Sequence, residues 1–212
     1  MLDGHKLLVA GVVTSSYILG YWIPNLIIYF LWNSHYLEDA KFQKNKTPPK
    51  ELINTVLQEN ILHTIFLQPF FGYVLVSPFF SQSDLEMPTF LQLVFQLFVS
   101  FLFADGSFYW LHRLVHHRLL YKRIHKKHHE FKVSVGLASN YAGVVEELFV
   151  NLVSTIMGPL ILHYFFQMHL FSFWLYMILR LEESVEEHCG FHLKYSPWNL
   201  LRHSQHHDYH HR

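Results

Sequence analysis

Thirteen of the 18 histidines in this 212-residue chain fall in two short stretches, 112–129 and 188–211, and their spacing repeats. His112 and His116 stand four apart, with His117 adjacent. His125, His128 and His129 follow in "YKRIHKKHHEF". His188 and His192 are again four apart, and His207, His210 and His211 repeat the second pattern. Imidazole is the commonest protein metal ligand and is largely neutral near pH 7. Positions three and four apart share a helix face, so each box is expected to aim its imidazoles at one point. Spacing leaves the last box open, because His203, His206 and His207 form an overlapping HxxHH in another register. Ten imidazoles exceed the four that a structural zinc takes. Shared between two ions they give roughly five each, with positions left for a small ligand. All-imidazole ligation suits Fe, Cu, Zn or Ni rather than Mg or Ca, and two redox metals point to oxygen chemistry.

Carboxylates close to the boxes are expected to orient imidazoles: Asp105, Glu146, Glu183, Glu186 and Asp208. The competing reading for Glu182, Glu183, Glu186 and Glu187 is a solvated helix face. His63, His163 and His169 lie alone in apolar segments and read as packed or interfacial residues. A basic surface attracted to anionic lipid explains the Lys and Arg between the boxes but not the repeated histidine spacing. Cys189, the single cysteine, reads as a small packing residue, and its solitude fits a reducing, cytosol-facing setting.

The elements that must carry these boxes belong to a membrane protein. Apolar residues make up 51% of the chain, aromatics 17% and charged residues 15%, a balance far from that of soluble domains. Sixteen Lys and Arg balance sixteen Asp and Glu, so nothing in the net charge favours nucleic acid. Residues 7–37, 61–83, 87–104 and 148–179 contain no Asp, Glu, Lys or Arg. Each is near or beyond the ~18–20 residues of a bilayer-spanning helix. The expected architecture is all-α: one membrane-embedded domain over 1–212, with spans at about 7–32, 61–80 and 87–111, a hairpin over 148–179, and a histidine-box di-metal cap. Seven Lys or Arg against one acid in 112–132, and four lysines in 33–60, place those segments in the cytosol. The turn 81–89, with only Asp84 and Glu86, falls on the far side. A hairpin over 148–179 is required if the later boxes are to rejoin the earlier ones.

In order and spacing, "HRLVHH", "HKKHHEF", "HCGFH" and "HHDYHH" resemble the fatty acid hydroxylase and sterol desaturase superfamily of membrane di-iron enzymes. Within it, "KFQKNKTPPKEL", "LRLEESVEEHCGFHLKYSP" and "HHDYHHR" are most similar to the sterol C4-methyl oxidases, over roughly residues 38–212. The resemblance implies His112, His116, His125, His128, His129, His188 and His192 as ligands, and it fixes the last register at His207, His210 and His211. It implies two iron ions, with electrons from NAD(P)H through cytochrome b5 and its reductase; no GxGxxG fingerprint is present in the chain itself. It further implies oxidation of a sterol C4-methyl group to alcohol, aldehyde and carboxylate before a separate sterol C4-decarboxylase acts, in the endoplasmic reticulum membrane.

This chain departs from the pattern in two places. Where the superfamily has "YAHPxE" this chain reads "NYAGVVEE", so Gly143 stands at the histidine position and Glu146 at the glutamate. The family also continues past the last box, which implies that a C-terminal segment is missing here. Another lipid hydroxylase or a sterol desaturase is the nearest alternative activity. A metal transporter would hold its ligands near the bilayer midplane, whereas these boxes fall at span ends. A bis-haem protein would use single axial histidines on facing helices rather than clusters. A catalytically dead lipid-binding paralogue is the remaining alternative.

Overall fold

Proline and glycine decide where the apolar runs bend and where they touch. The computed structural model describes residues 2–194, 196–199 and 203–212. Helix α1 (Leu2–Tyr17) passes through a π-helical turn, Ile18–Trp22, into α2 (Ile23–Asn33). Pro24 in the first turn of α2 offers no N–H to the carbonyl four residues back, and the wider turn beside it is where the hydrogen-bond ladder accommodates that loss. Helix α3 (Lys50–Leu62) starts directly after Pro48-Pro49. It runs on through the π turn His63–Leu67, the short α4 (Gln68–Phe70) that holds Pro69, and a second π turn, Phe71–Val76. The helical run expected to begin near 61 therefore begins at Lys50, inside the lysine-bearing stretch 33–60, and continues unbroken into the apolar run.

Helix α5 (Phe90–Val115) is capped by Thr89, whose Oγ1 accepts from Gln92 N at 3.3 Å while Gln92 Oε1 accepts from Thr89 N at 2.8 Å. Its 26 residues extend ~39 Å, more than a bilayer core, so its last turn carries His112 out to the interface. The uncharged run 148–179 is divided. The short α6 (Val144–Glu146), a π turn Glu147–Leu152 and α7 (Val153–Phe165) lead one way, and α8 (Leu170–Glu187) returns. The reversal lies at the end remote from the histidine boxes, beside the 81–89 turn. There Gln167 Nε2 donates to Asp84 Oδ1 at 3.2 Å, and His169 Nδ1 donates to Glu86 O at 3.0 Å. Helix α9 (His203–His211) closes the chain.

Among the described residues there are no β-strands, only one isolated bridge between Lys41 and Phe191. Four helical runs, Asp3–Asn33, Lys50–Phe79, Phe90–Val115 and Val144–Phe165, are long and apolar enough to cross a membrane. Phe30, Phe66, Phe98 and Phe165, one from each run, are more than half exposed, as a lipid-facing surface requires. The helices meet where side chains are smallest. A Cβ on Gly158 of α7 would lie 2.4 Å from Ser100 Cα of α5, so the two backbones are in contact there. One apolar core (Val9, Val13, Phe80, Leu162, Phe173) sits toward the remote end, and a second (Tyr17, Tyr21, Ile28, Val185, Phe191) lies beneath the histidines.

Candidate metal centre

Nine of the ten expected imidazoles converge at the end of the bundle, eight of them in two groups of four. His112, His116, His125 and His210 form one; His128, His188, His207 and His211 form the other. In each group the ligand atoms lie within 4.8 Å of one another. His129 stands between them. Its Nε2 is 3.0 Å from His125 Nε2, and its ring lies 4.7 Å from that of His210 and 4.6 Å from that of His211.

The boxes do not each serve one point, as helical spacing led us to expect. The second box is split between the groups, and so is the last. Only His112 and the final three sit within α-helices; His116 and His188 are the residues that end α5 and α8. His125 lies in consecutive turns, with its N–H bonded to Tyr121 O at 3.0 Å, and His128 and His129 open the 3-10 turn His128–Glu130. The third box is broken by Gly190, whose φ of +78° turns the chain away from α8. Beyond that turn His192 is exposed, its N–H bonded to Ala40 O at 2.8 Å, and it belongs to neither group.

Hydrogen bonds show what the groups can hold. His128 Nδ1 faces Tyr141 O at 3.2 Å, and His188 Nδ1 faces Ser184 O at 2.8 Å. A carbonyl oxygen only accepts, so both Nδ1 atoms carry the proton and both Nε2 atoms present lone pairs. Those lone pairs point at each other across 3.3 Å, and His207 Nε2 stands 2.8 Å from His188 Nε2. Two facing lone pairs repel unless a proton or a Lewis acid lies between them. Protonation is opposed by burial. It pushes the His128 and His207 imidazoles well below their usual range, with neighbouring imidazoles adding to the effect. Burial likewise lowers His116 to about 4 and His129 to about 3, helped by His125 and His210. Metal–imidazole bonds of ~2.0–2.1 Å set neighbouring ligand nitrogens about 3.0–3.4 Å apart. The observed Nε2 pairs span 2.8–3.3 Å. The donor set fits two cations.

Of the five carboxylates expected to orient imidazoles, Glu146 does so, accepting from His125 Nδ1 at 2.6 Å. The other four have different partners among the described residues. Asp208 accepts from Ser134 Oγ and Gln43 Nε2, each at 2.8 Å, and pairs with Arg212, which docks α9 onto the preceding loops. Glu183 pairs with Arg180 at 2.6 Å, Asp105 lies 3.5 Å from the same guanidinium, and Glu186 accepts from Ser196 Oγ at 2.5 Å. Their spacing from the boxes was right for second-layer contacts, but Glu183 and Glu186 of α8 are taken up by Arg180 and by Ser196 of the following loop, and Asp105 of α5 lies against the same arginine. Sequence reasoning missed the carbonyls of Tyr141 and Ser184 as orienting groups, since any residue type supplies one. It also missed a third cluster, Glu183, Glu187 and His203. His117 and His206 are exposed and outside both groups.

A cavity of about 360 Å³ runs from the apolar interior to this centre. Phe71, Phe79, Phe80, Phe173 and Met177 line its walls, and His112, His128, His188 and His207 line its end, so both groups open onto it. The aromatic stretch 95–103 lines none of it; Phe95, Phe98 and Phe103 face outward.

A family model described as fatty acid hydroxylase matches residues 97–212, the part that carries every box. The chain belongs to that family. Members of the fatty acid hydroxylase superfamily are oxygen-dependent oxidoreductases. The chain is 38% identical over 179 residues to the very-long-chain aldehyde decarbonylase GL1-11 of Oryza sativa subsp. indica, covering 81% of this chain and 65% of that protein. It is 32% identical over 197 residues to methylsterol monooxygenase 2-2 of Arabidopsis thaliana, covering 91% and 72%. It is 38% identical over 126 residues to fatty acid hydroxylase domain-containing protein 2 of Macaca fascicularis, covering 59% and 35%. This hydroxylase-family chain thus spans just under two thirds of the rice relative's length. No solved structure matches it. Gly143, the departure from the superfamily's histidine, precedes α6 with open space around it; a Cβ there would meet Ile124 O at an ordinary 3.5 Å.

Proposed function

We propose that the chain is a membrane di-iron monooxygenase that oxidises the C4-methyl group of sterol precursors with O2. The observation that carries this reading is the apolar cavity ending on imidazoles of both groups, which can lay a lipid against the centre. The residues that would hold the irons are His112, His116, His125 and His210, and His128, His188, His207 and His211, with His129 between them. When bound, iron would activate dioxygen and supply the oxidising equivalent for an unactivated C–H bond.

The chain's own residues do the rest. Glu146, Tyr141 O and Ser184 O hold three imidazoles in the tautomer that leaves Nε2 free. The aromatic walls exclude water from the reacting carbon and restrict its position. Electrons come from NAD(P)H through cytochrome b5 and its reductase, and a sterol C4-decarboxylase takes the product. The distribution of Lys and Arg supports an orientation with the centre facing the cytosol, and the sterol reading carries with it the endoplasmic reticulum membrane. A second reading, conversion of a very-long-chain aldehyde, is supported by the rice relatives that bear that name.

Expression in a yeast strain lacking its C4-methylsterol oxidase, with sterols read by mass spectrometry, tests the proposal. Loss of 4,4-dimethylsterols is the expected result. A stable, iron-loaded chain that leaves those sterols untouched overturns the sterol reading, and long-chain aldehydes are then assayed in the same membranes.

A further inference from the structure

Glu146 carries a buried oxygen that nothing among the described residues satisfies. Its Oε1 accepts from His125 Nδ1, its Oε2 has no hydrogen-bond partner, and the residue is 2% exposed. Several described residues hold a buried side-chain atom without a partner, and of these Glu146 alone lines the cavity. A carboxylate oxygen buried without a donor is among the costlier arrangements a protein can hold. Glu146 belongs to neither four-histidine group, so its Oε2 is not among the converging ligand atoms. Its polar neighbours on the cavity wall do not satisfy it either. Asn151 Nδ2 donates to Glu147 at 2.8 Å, and Asn140 Nδ2 donates to Tyr17 Oη at 2.6 Å and to Asn60 Oδ1 at 3.3 Å. The position is open to a donor carried by whatever occupies the cavity.

We infer that Glu146 determines substrate specificity: Oε2 accepts a hydrogen bond from the hydroxyl of a lipid alcohol, next to the carbon that is oxidised. This rests on the proposed monooxygenase reading and narrows its substrate class. The carboxylate is separated from the convergent Nε2 atoms only by the His125 ring, so a hydroxyl held on Oε2 is held beside the centre. The remainder of the lipid then lies along Phe71, Phe79, Phe80 and Phe173. A C4-methylated sterol meets this requirement, since its C3 hydroxyl is on the carbon adjacent to C4. A long-chain aldehyde has no O–H to donate.

The test is equilibrium binding to the full chain in lipid nanodiscs, with two matched pairs of probes. One pair is a C4-dimethylated sterol and its 3-O-methyl ether; the other is a long-chain primary alcohol and its methyl ether. Each is measured with the wild type and with Glu146→Gln. The glutamine keeps a carbonyl oxygen for His125 Nδ1–H and replaces the free acceptor with an N–H donor. At least one alcohol is expected to bind the wild type about 10- to 100-fold more tightly than its ether, and the difference to collapse in the variant. Metal content and circular dichroism accompany both proteins; if the variant loses its metals or its fold, the wild-type comparison decides alone. Equal binding of alcohol and ether in both pairs, or discrimination unchanged in Glu146→Gln, overturns the inference. Discrimination within the long-chain pair alone keeps the inference and removes the sterol reading. Sterol turnover without discrimination keeps the sterol reading and removes the inference.

Discussion

Removing one imidazole from each group separates the two metals. His116 belongs only to the first group, where its Nε2 lies 3.0 Å from that of His210; His207 belongs only to the second, 2.8 Å from His188 Nε2. Four-ligand metal sites bind with ~10–16 kcal/mol, or about 2.5–4 kcal/mol per ligand when divided evenly. His116→Ala and His207→Ala should each weaken one metal by roughly a hundred- to a thousand-fold and spare the other. His129→Ala, which removes the ring in contact with both groups, should weaken both. The assay is metal per chain by plasma mass spectrometry on detergent-purified protein, titrated with a chelator of known affinity. Wild type should release two equivalents, and each single-group variant should shift one release step and not the other. If His116→Ala and His207→Ala shift the same step, the division of eight imidazoles into two groups of four is wrong.

Three further outcomes follow from the same geometry. Glu146→Ala deprives His125 Nδ1–H of its acceptor and should cost ~10–100-fold in metal affinity, measured by the same titration. Gly158→Ala forces the backbones of α5 and α7 apart by about 1 Å at Ser100 and should destabilise the bundle by ~1–3 kcal/mol, seen as a lower thermal midpoint with metal content unchanged. Chelator-stripped protein should lose stability as pH falls below about 6.5. The unfolded chain takes up protons on its histidines there, whereas His116 stays neutral in the fold down to about 4 and His129 down to about 3. Thermal midpoints of the stripped form at about pH 7.5 and 5.5 check this, and equal midpoints would count against it.

The imidazoles that converge were legible in the sequence as spaced boxes, but their partition was not. Composition and uncharged runs are local properties, so all-helical structure and membrane-length spans could be read directly. Which imidazole meets which depends on how the chain leaves each helix. His125 and His128 are three apart yet fall in different groups because the segment carrying them is a series of turns rather than a regular helix. His188 and His192 are four apart yet are parted by the left-handed backbone at Gly190. Asp208 stood between two ligands and was read as orienting them; its side chain instead anchors α9 through Ser134 and Gln43, contacts 74 and 165 residues distant that no local pattern encodes.

Chain order gives the centre a further role during biogenesis. His112 and His210 meet across 98 residues, and α7 and α8 lie between them in sequence. As the protein is synthesised and enters a bilayer, the first five boxed imidazoles, His112, His116, His125, His128 and His129, emerge long before α9 can reach them. Neither group can close until α7 has been laid down and α8 has returned. A chain in which that hairpin fails to form leaves His188, His207, His210 and His211 on the opposite side of the membrane from their partners. Closure of either group is therefore a late event that only correctly threaded chains complete, and metal ions bound there would act as a latch on topology.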